Sequence, residues 1–588
     1  MKRYSLGGLI GMEISSNNYY LSSLYENSLT EENKKSLGIY YTPKNIIDYI
    51  VKKTLYNHDF IKNPYPKILD LSCGCGNFLL EVYDTLYEIF ENYKYELNIE
   101  NIHNHIISNC IYGIDIDSNA IKLLKHSLIN KSLDESIDKL NIYCFDSLNS
   151  EGIDANIKKL FWDSKFDYII GNPPYIGHKN LNTNYKKWLL KEYSQVYRDK
   201  SDIYFCFYKR IIDLLKEDGV ASIITPRYFI ESQSGRLLRK YILKNVSIDE
   251  IIDFNGVNVF KNASIASCIF TMKKEINENN IVDIYKLNNY SIDFDSIEDI
   301  NVKLKDENEF TKINLNQIDM KEDWIIDKKE NIYLYNKIED YGEFKLKDIC
   351  VSFQGIITGC DKAFVIDNEY EHKLCIEKNI LKNWIKSKNI QKYFIEKNSL
   401  KLIYSDDIDS CHKYSNSINY IKNYKQKLEN RRECKKNIRM WYQLQWGRNK
   451  NMFERKKIMY PYKSKENRFA IDNKNRFCSA DVYSFYIKDE YIKEFSYEYI
   501  VGLLNSSIYD TYFKTFAKKM GKDLYDYYPN KVMQISIFKD HNYKSIENLS
   551  KEIINILESD NKPNKEVIIL QDEINELIKN SLNINSLL

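Results

Sequence analysis

From Lys34 to about Lys273, short apolar runs alternate with amphipathic stretches, and most of these runs end in an acid or a glycine turn. Lys67–Leu71 reads as a strand entering a glycine turn, and Asn77–Asn92 as the helix that follows. Ile111–Ile116 is a second strand with Ala120–Asn130 as its helix; Asn141–Phe145 and Phe166–Ile170 are the third and fourth. Asp202–Leu215 has helical spacing and stops at Asp218-Gly219, and Val220–Ile224 is a fifth strand. Strands regularly interleaved with helices predict an α/β, Rossmann-like doubly wound parallel sheet. Ligands of such sheets bind beyond the carboxyl ends of the strands, which is where the motifs below fall.

The alternation does not fill the chain. At 588 residues it exceeds what one core supports. Residues 275–335 are polar and rich in Asn, Asp and Glu, with one strand at Ile281–Leu287. The expected division is a catalytic domain over 12–300, a linker over 301–335 and a mixed α+β domain over 336–588. Residues 331–588 hold 44 Lys and Arg against 35 Asp and Glu, and 413–468 hold 17 against 4. This points to a polyanion partner for the second half. The 12 cysteines include no C-x-x-C pair, which argues for reduced thiols, a cytoplasmic location and no metal. No apolar run approaches the ~20 residues of a membrane span. Residues 1–11 are expected to be a mis-called start: Leu6-Gly7-Gly8 can be encoded as a ribosome-binding sequence just upstream of Met12.

Four signals carry chemistry. Asp70-Leu71-Ser72-Cys73-Gly74-Cys75-Gly76 ends the first strand; it lacks the third glycine of a dinucleotide fingerprint and suits a ligand with a cationic amino-acid tail. Asp115, followed by Ile116 and Asp117, ends the second strand and can accept two ribose hydroxyls. Asp146, followed by Ser147, ends the third and can accept an amine from an adenine ring, although a lone Asp there is commonly a helix cap. Asn172-Pro173-Pro174-Tyr175 follows the fourth strand. The two prolines stiffen the backbone and remove N–H donors. The Asn172 amide oxygen and the Pro173 carbonyl can hold both hydrogens of an exocyclic amine, and Tyr175 offers a face for stacking. Upstream, Thr42-Pro43 reads as a helix N-cap with Pro at the first helical position.

These motifs, in this order, resemble the S-adenosylmethionine-dependent DNA adenine-N6 methyltransferases of the gamma arrangement, in which the catalytic domain precedes the target-recognition domain. The segments Gly38–Pro43, Ser72–Phe78, Asn172–Lys179, Phe353–Phe364 and Asp526–Lys531 look closest to the CamA-type orphan adenine methyltransferases of sporulating clostridia, which implies epigenetic regulation rather than restriction. The resemblance implies that Tyr41, Thr42 and Pro43 meet the methionine end of S-adenosylmethionine, with Asp70, Ser72, Cys73 and Gly74. It places Asp115 and Ile116 at the ribose, and Asp146 and Ser147 at the adenine ring. It implies that Asn172 to Tyr175 grip a flipped adenine, with Phe260 on the base's other face. Gly355, Thr358 and Gly359 match a recognition-domain motif. Double-stranded DNA is the expected partner, bound through Lys179, Arg431, Arg432, Lys435, Lys436, Arg439, Arg448, Arg455, Lys456 and Lys457.

The resemblance further implies a short, asymmetric, A-rich site methylated on one strand by a monomer with no obligatory protein partner. Related enzymes that also cut DNA carry a nuclease domain first; 37 residues before Gly38 are too few for one. A base inside a duplex must be flipped out before chemistry on it. No metal or strong base is then required, because positioning and electrostatics can carry the transfer. Two rivals remain: methylation of another planar amine (cytosine N4, an RNA base or a protein glutamine), and a non-catalytic DNA-binding regulator.

Overall fold

The computed structural model describes residues 25, 29–30, 40, 42–131, 137–198, 200–260, 265–277, 279–288, 294, 297, 299–320, 324–521, 523–560 and 564–584. The expectations for residues 1–11 and for Tyr41 lie outside them. The chain forms two compact units, Met1–Ile325 and Ile326–Leu588.

Among the described residues the first unit is built on nine strands: β1 Ile68–Asp70, β2 Ile111–Asp115, β3 Asn141–Cys144, β4 Phe166–Gly171, β5 Leu215–Pro226, β6 Ser247–Asn258, β7 Ala266–Lys273, β8 Ile281–Leu287 and β9 Phe310–Asn316. Their order is β3-β2-β1-β4-β5-β7-β6-β8-β9. Strands β1 to β5 run parallel, as the alternation predicts. The chain winds outward from β1 through β2 to β3 and then returns to β4 on the other side of β1, so the topological switch lies between β1 and β4. The loops after these two strands carry Asp70–Gly76 and Asn172–Tyr175. The helices Lys44–Leu55 and Asn77–Leu97 bury Ile46, Ile50, Leu79 and Leu86 in the same core as Ile68, Ile111 and Ile142. β1 is buried throughout, the continuous apolar pattern expected of a strand covered on both faces.

The remaining sheet is mixed. β7 lies antiparallel between β5 and β6, β8 joins β6 in parallel, and β9 closes the edge antiparallel to β8. The expected border and linker are therefore corrected. Residues 301–316 belong to the first unit: β9 pairs with β8 from Phe310 to Asn316. Of its seven residues only Phe310 and Ile313 are buried and the other five are at least partly exposed, and an edge strand that is wet along most of its length has this polar composition. The helix Lys329–Tyr341 buries Leu334 and Ile338 in the second unit.

Among its described residues the second unit has two four-stranded sheets beside two smaller ones, and strands Cys350–Gln354, Val482–Ile487, Lys457–Pro461 and Ala470–Asp472 form one of the larger pair in that spatial order. One of its cores gathers the helices Tyr497–Asn505, Ser507–Phe516, Tyr543–Asp560 and Lys565–Leu582, with Tyr499, Tyr509, Tyr512 and Ile574 inside. The other surrounds Trp384, Phe364, Leu402 and Phe477.

Candidate active site

The ends of β1 to β4 surround a cavity of about 540 Å³ lined by Asp70 to Phe78, Asp115 to Asp117, Asp146, Ser147, Asn172 and Pro174. This volume is in the range of small-molecule sites. The sheet thus brings together acids that lie far apart in sequence.

Asp70 is 1 % exposed. Its Oδ1 accepts from the Ser72 amide at 2.9 Å. Gly171, with φ +139°, makes room for this carboxylate: a Cβ there would lie 2.5 Å from Asp70 Oδ1. Burial, and secondarily the negative Asp115, push the Asp70 carboxyl up to about 8. A cation beside it would restore the ionised form. Gly74, with φ +52°, has open space where a side chain would be, so a ligand can approach the backbone there. Asp115 holds this turn in place: its Oδ2 accepts from the Gly74 amide and its Oδ1 from the Asp117 amide, both at 2.8 Å. Burial raises its pKa. The Ile116 side chain is 64 % exposed at the cavity's edge, an apolar face that a purine can cover. Asp146 accepts from the Leu148 amide at 2.9 Å and from the Tyr185 hydroxyl at 2.7 Å, and Ser147 donates to the Leu71 carbonyl.

Asn172 is oriented from behind. Its Nδ2 donates to the Tyr40 carbonyl at 3.2 Å and to Thr42 Oγ1 at 3.1 Å. A carbonyl can only accept, which fixes the amide's orientation. The Asn172 Oδ1 is then left buried with no partner among the described residues. A buried acceptor without a partner costs roughly 1–3 kcal/mol. The Ser72 hydroxyl holds the Asn172 carbonyl at 3.1 Å and ties the β1 and β4 loops together. The expected N-cap at Thr42 is corrected: Pro43 caps the helix Lys44–Leu55 without a side-chain bond, because the Thr42 hydroxyl is engaged by Asn172. Tyr175 is 8 % exposed and donates to the Ile224 carbonyl at 3.2 Å. Phe260 meets it edge-on, with ring centroids 5.8 Å apart and planes at 68°.

Three tyrosines are among the lining residues that the sequence does not single out as ligand contacts. Tyr25 donates to Asp117 Oδ2 at 2.6 Å, Tyr185 holds Asp146, and Tyr40 packs on Tyr175. Tyr40 sits inside a motif already read, whereas Tyr25 and Tyr185 carry no local pattern that separates them from the other tyrosines of a chain with 49. No cluster of His, Cys, Asp and Glu suited to a metal occurs among the described residues. Asp367, which with Glu371 and Lys373 mimics a nuclease pattern, caps the helix Asn368–Leu374.

In the second unit the basic strip is less uniformly available than its sequence implies. Lys457 is fully buried and paired with Asp472 at 2.6 Å. Arg431 is 9 % exposed and donates to the carbonyls of Leu428, Thr358, Trp441 and Gln443. Neither reaches a phosphate without opening the fold, so the DNA-contact expectation for these two is corrected. Arg439 pairs with Asp406, Arg455 with Asp489 and Lys456 with Glu498, while Arg448 donates to Gln354. These acids lie outside 413–468, which is why the segment's charge count overstates its field. Arg432, Lys435 and Lys436 are exposed, as is Lys179 in the first unit. In the Gly355–Gly359 loop, a Cβ on Gly359 would lie 2.8 Å from the Arg431 Cδ.

Comparison with known proteins follows the same division. Residues 109–260 match the family model of the Eco57I restriction-modification methylase, and residues 372–537 match the TaqI-like C-terminal specificity domain. The chain is 24 % identical over 567 residues to the type II methyltransferase M.BanIII of Aneurinibacillus aneurinilyticus, covering 89 % of this chain and 92 % of that protein. It is 27 % identical over 371 residues to the type II restriction enzyme and methyltransferase RM.Eco57I of Escherichia coli, covering 55 % of this chain and about a third (36 %) of that protein. Among solved structures, the type IIL restriction-modification enzyme MmeI, determined in complex with DNA, shares the fold with a TM-score of 0.65 at 14 % identity, over 96 % of this chain and 79 % of that one.

The switch-point cavity and these relationships define an S-adenosylmethionine-dependent DNA methyltransferase. Within that class the chain is similar to the type II restriction-modification methyltransferases, resembling the Eco57I methylase over residues 109–260 and the TaqI-like specificity domain over residues 372–537.

Proposed function

We propose that the protein methylates N6 of adenine in double-stranded DNA, at a short asymmetric A-rich site, and that it acts as a monomer without cleaving its substrate. The observation that carries this reading is the buried Asn172 Oδ1, without a partner among the described residues, set beside a double proline and fixed by two acceptors on its own amide nitrogen. Such an oxygen accepts one N6 hydrogen and the Pro173 carbonyl accepts the other. Two acceptors on the amine draw the nitrogen away from planarity and aim its lone pair into the cavity. S-adenosylmethionine supplies an electrophilic methyl group there when bound. Asp70, buried in the lining of the cavity, would neutralise the cofactor's ammonium, and Asp146 and Ser147, which line the same cavity, would meet its adenine ring. Neither acceptor is a strong base, so the N6 proton departs to solvent after transfer. An orphan, CamA-type role in chromosomal epigenetic regulation, in a cytoplasmic protein, fits this reading.

Methylation-aware sequencing of genomes with and without the gene identifies the base and its site together. Asn172→Ala abolishes transfer at that site, by about a thousandfold or more, with DNA affinity retained; Thr42→Val, which removes one amide acceptor, lowers turnover by about tenfold. Cytosine modification, or normal turnover in Asn172→Ala, overturns the assignment. Incubating the site-bearing duplex with Mg²⁺ checks for cleavage, and none is expected.

A further inference from the structure

In the second unit, strands Lys463–Ser464, Leu524–Asp526 and Lys518–Gly521 form a small antiparallel sheet in that order. The short strand covers only the root of the hairpin: Lys463 and Ser464 pair with Asp526 and Tyr525, and Gly521 pairs with Leu524 beyond them. The outer end is thus a two-stranded ribbon with Met520 and Asp523 exposed, an arrangement marginally stable in water by itself. Register sets Lys463, Asp526 and Lys518 side by side, and directly paired residues share a face. Neither lysine forms an ion pair among the described residues. The carboxylate between them is turned inward, with Asp526 Oδ1 buried and without a partner there. Lys519, next along the strand and so on the opposite face, holds its Nζ 5.7 Å from the Tyr525 centroid. Where the second strand ends, Tyr528 is 46 % exposed. Tyr462 and Tyr483 hold it edge-on, with centroids 6.1 and 5.3 Å away and planes at 74° and 63°.

We propose that this hairpin enters the major groove of duplex DNA, with Lys463 and Lys518 on the phosphates of one groove wall, Lys519 toward the other, and the Tyr528 ring against a deoxyribose. This rests on duplex DNA as the substrate, whichever base is methylated. The major groove, about 12 Å wide, admits a two-stranded ribbon, and the minor groove, about 6 Å wide, does not. A ribbon in a groove meets a phosphate wall on each side, which cations on both faces match. Elsewhere in the unit the fold brings acids onto its cations, as with Arg439, Arg455, Lys456 and Lys457. Lys463 and Lys518 are left uncompensated, and a polyanion is the partner that such a field attracts. Lysines also guard edge strands against pairing with another chain. That role asks for no half-exposed ring on an aromatic footing, whereas contact with sugar and phosphate uses both. A ring already fixed by two neighbours loses little freedom on binding. The cations come from two distant segments joined by strand pairing, so the charge count along the chain does not show them as a cluster.

The test uses the full chain with S-adenosylmethionine and measures its affinity for duplex DNA at several salt concentrations. Lys463→Ala with Lys518→Ala should flatten the slope of log Kd against log salt by about two. It should weaken binding to site-bearing and unrelated duplexes alike and leave Tm unchanged. Arginine at both positions should restore the slope. Tyr528→Ala should weaken binding several-fold with the slope unchanged. Hydrogen exchange locates the contact: a duplex should slow exchange of the amides over 518–526, and heparin, a polyanion without a groove, should slow it far less. An unchanged slope in the double alanine variant would overturn the proposal. Equal protection by heparin would overturn it as well, reducing the hairpin to a patch for any polyanion. Failure of the underlying reading looks different, because the unaltered chain would then show no salt-dependent affinity for duplex DNA.

Discussion

Asp70 shows how one buried residue can give the enzyme a measurable pH signature. Its carboxyl, at about 8 in the free protein because of burial and then Asp115, is largely protonated at neutral pH. A bound ammonium favours the ionised form, so binding S-adenosylmethionine at pH 7 releases a proton. The sign follows: affinity rises with pH below the raised pKa, by up to about tenfold per unit. It levels near pH 8, where an α-amino group itself begins to lose its charge. Titration calorimetry from pH 6 to 8 in buffers of different ionisation enthalpy reads both effects. A pH-independent affinity with no proton release would contradict this role, and Asp70→Asn should abolish the slope. The position of Asp70, at a strand end before a glycine turn and in the cavity lining, is legible in the sequence. The engagement of Thr42 by Asn172 is not, since it joins positions 130 residues apart and a Thr-Pro pair before a helix already has a sufficient local explanation.

At the scale of elements, the parallel half of the sheet was readable because each βαβ unit writes its own period, and β1 to β5 lie within a few residues of the expected positions. β6, β7 and β9 were not read: antiparallel neighbours and an edge strand leave no crossover helix between them to announce the rhythm. The basic strip shows the complementary limit. Charge counts along a chain ignore acids that the fold brings in from elsewhere, and Asp406, Asp472, Asp489 and Glu498 neutralise Arg439, Lys457, Arg455 and Lys456. Exposed and buried cations should therefore separate experimentally. Replacing Arg432, Lys435 and Lys436 with Ala should weaken DNA binding and flatten its salt dependence by up to about three counterions, with little change in Tm. Lys457→Met leaves Asp472 buried with only Arg476 and should cost about 3–5 kcal/mol of stability while the salt slope stays unchanged. Binding isotherms at several salt concentrations, paired with thermal melts, make the comparison. A normal Tm with a reduced slope in Lys457→Met would mean that this lysine does reach the DNA.

For the whole molecule, the decisive feature is that its cores respect one boundary. The core around β1 to β9 draws its buried members from residues 46–310, and the two large cores of the second unit draw theirs from 334–584 and 353–482. Among the described residues, none of these three cores straddles Ile325. Each unit thus buries its own apolar surface, the condition for independent folding. The charge is divided in the same way, with an excess of nine positive charges over residues 331–588 in a chain whose net charge is +2. On the proposed function, chemistry falls to the first unit and most of the polyanion binding to the second. Residues 326–588 expressed alone should unfold in a cooperative transition and retain salt-sensitive affinity for duplex DNA, with a slope reduced by the Arg432, Lys435 and Lys436 substitutions as in the intact protein. The fragment should transfer no methyl groups, since every residue of the switch-point cavity lies before Ile325. Calorimetric melting and fluorescence anisotropy on the fragment decide the matter. A non-cooperative melt would show that the boundary cuts through a shared core, and a folded fragment without DNA affinity would move the binding surface to the catalytic unit, leaving Lys179 as the first cation to test.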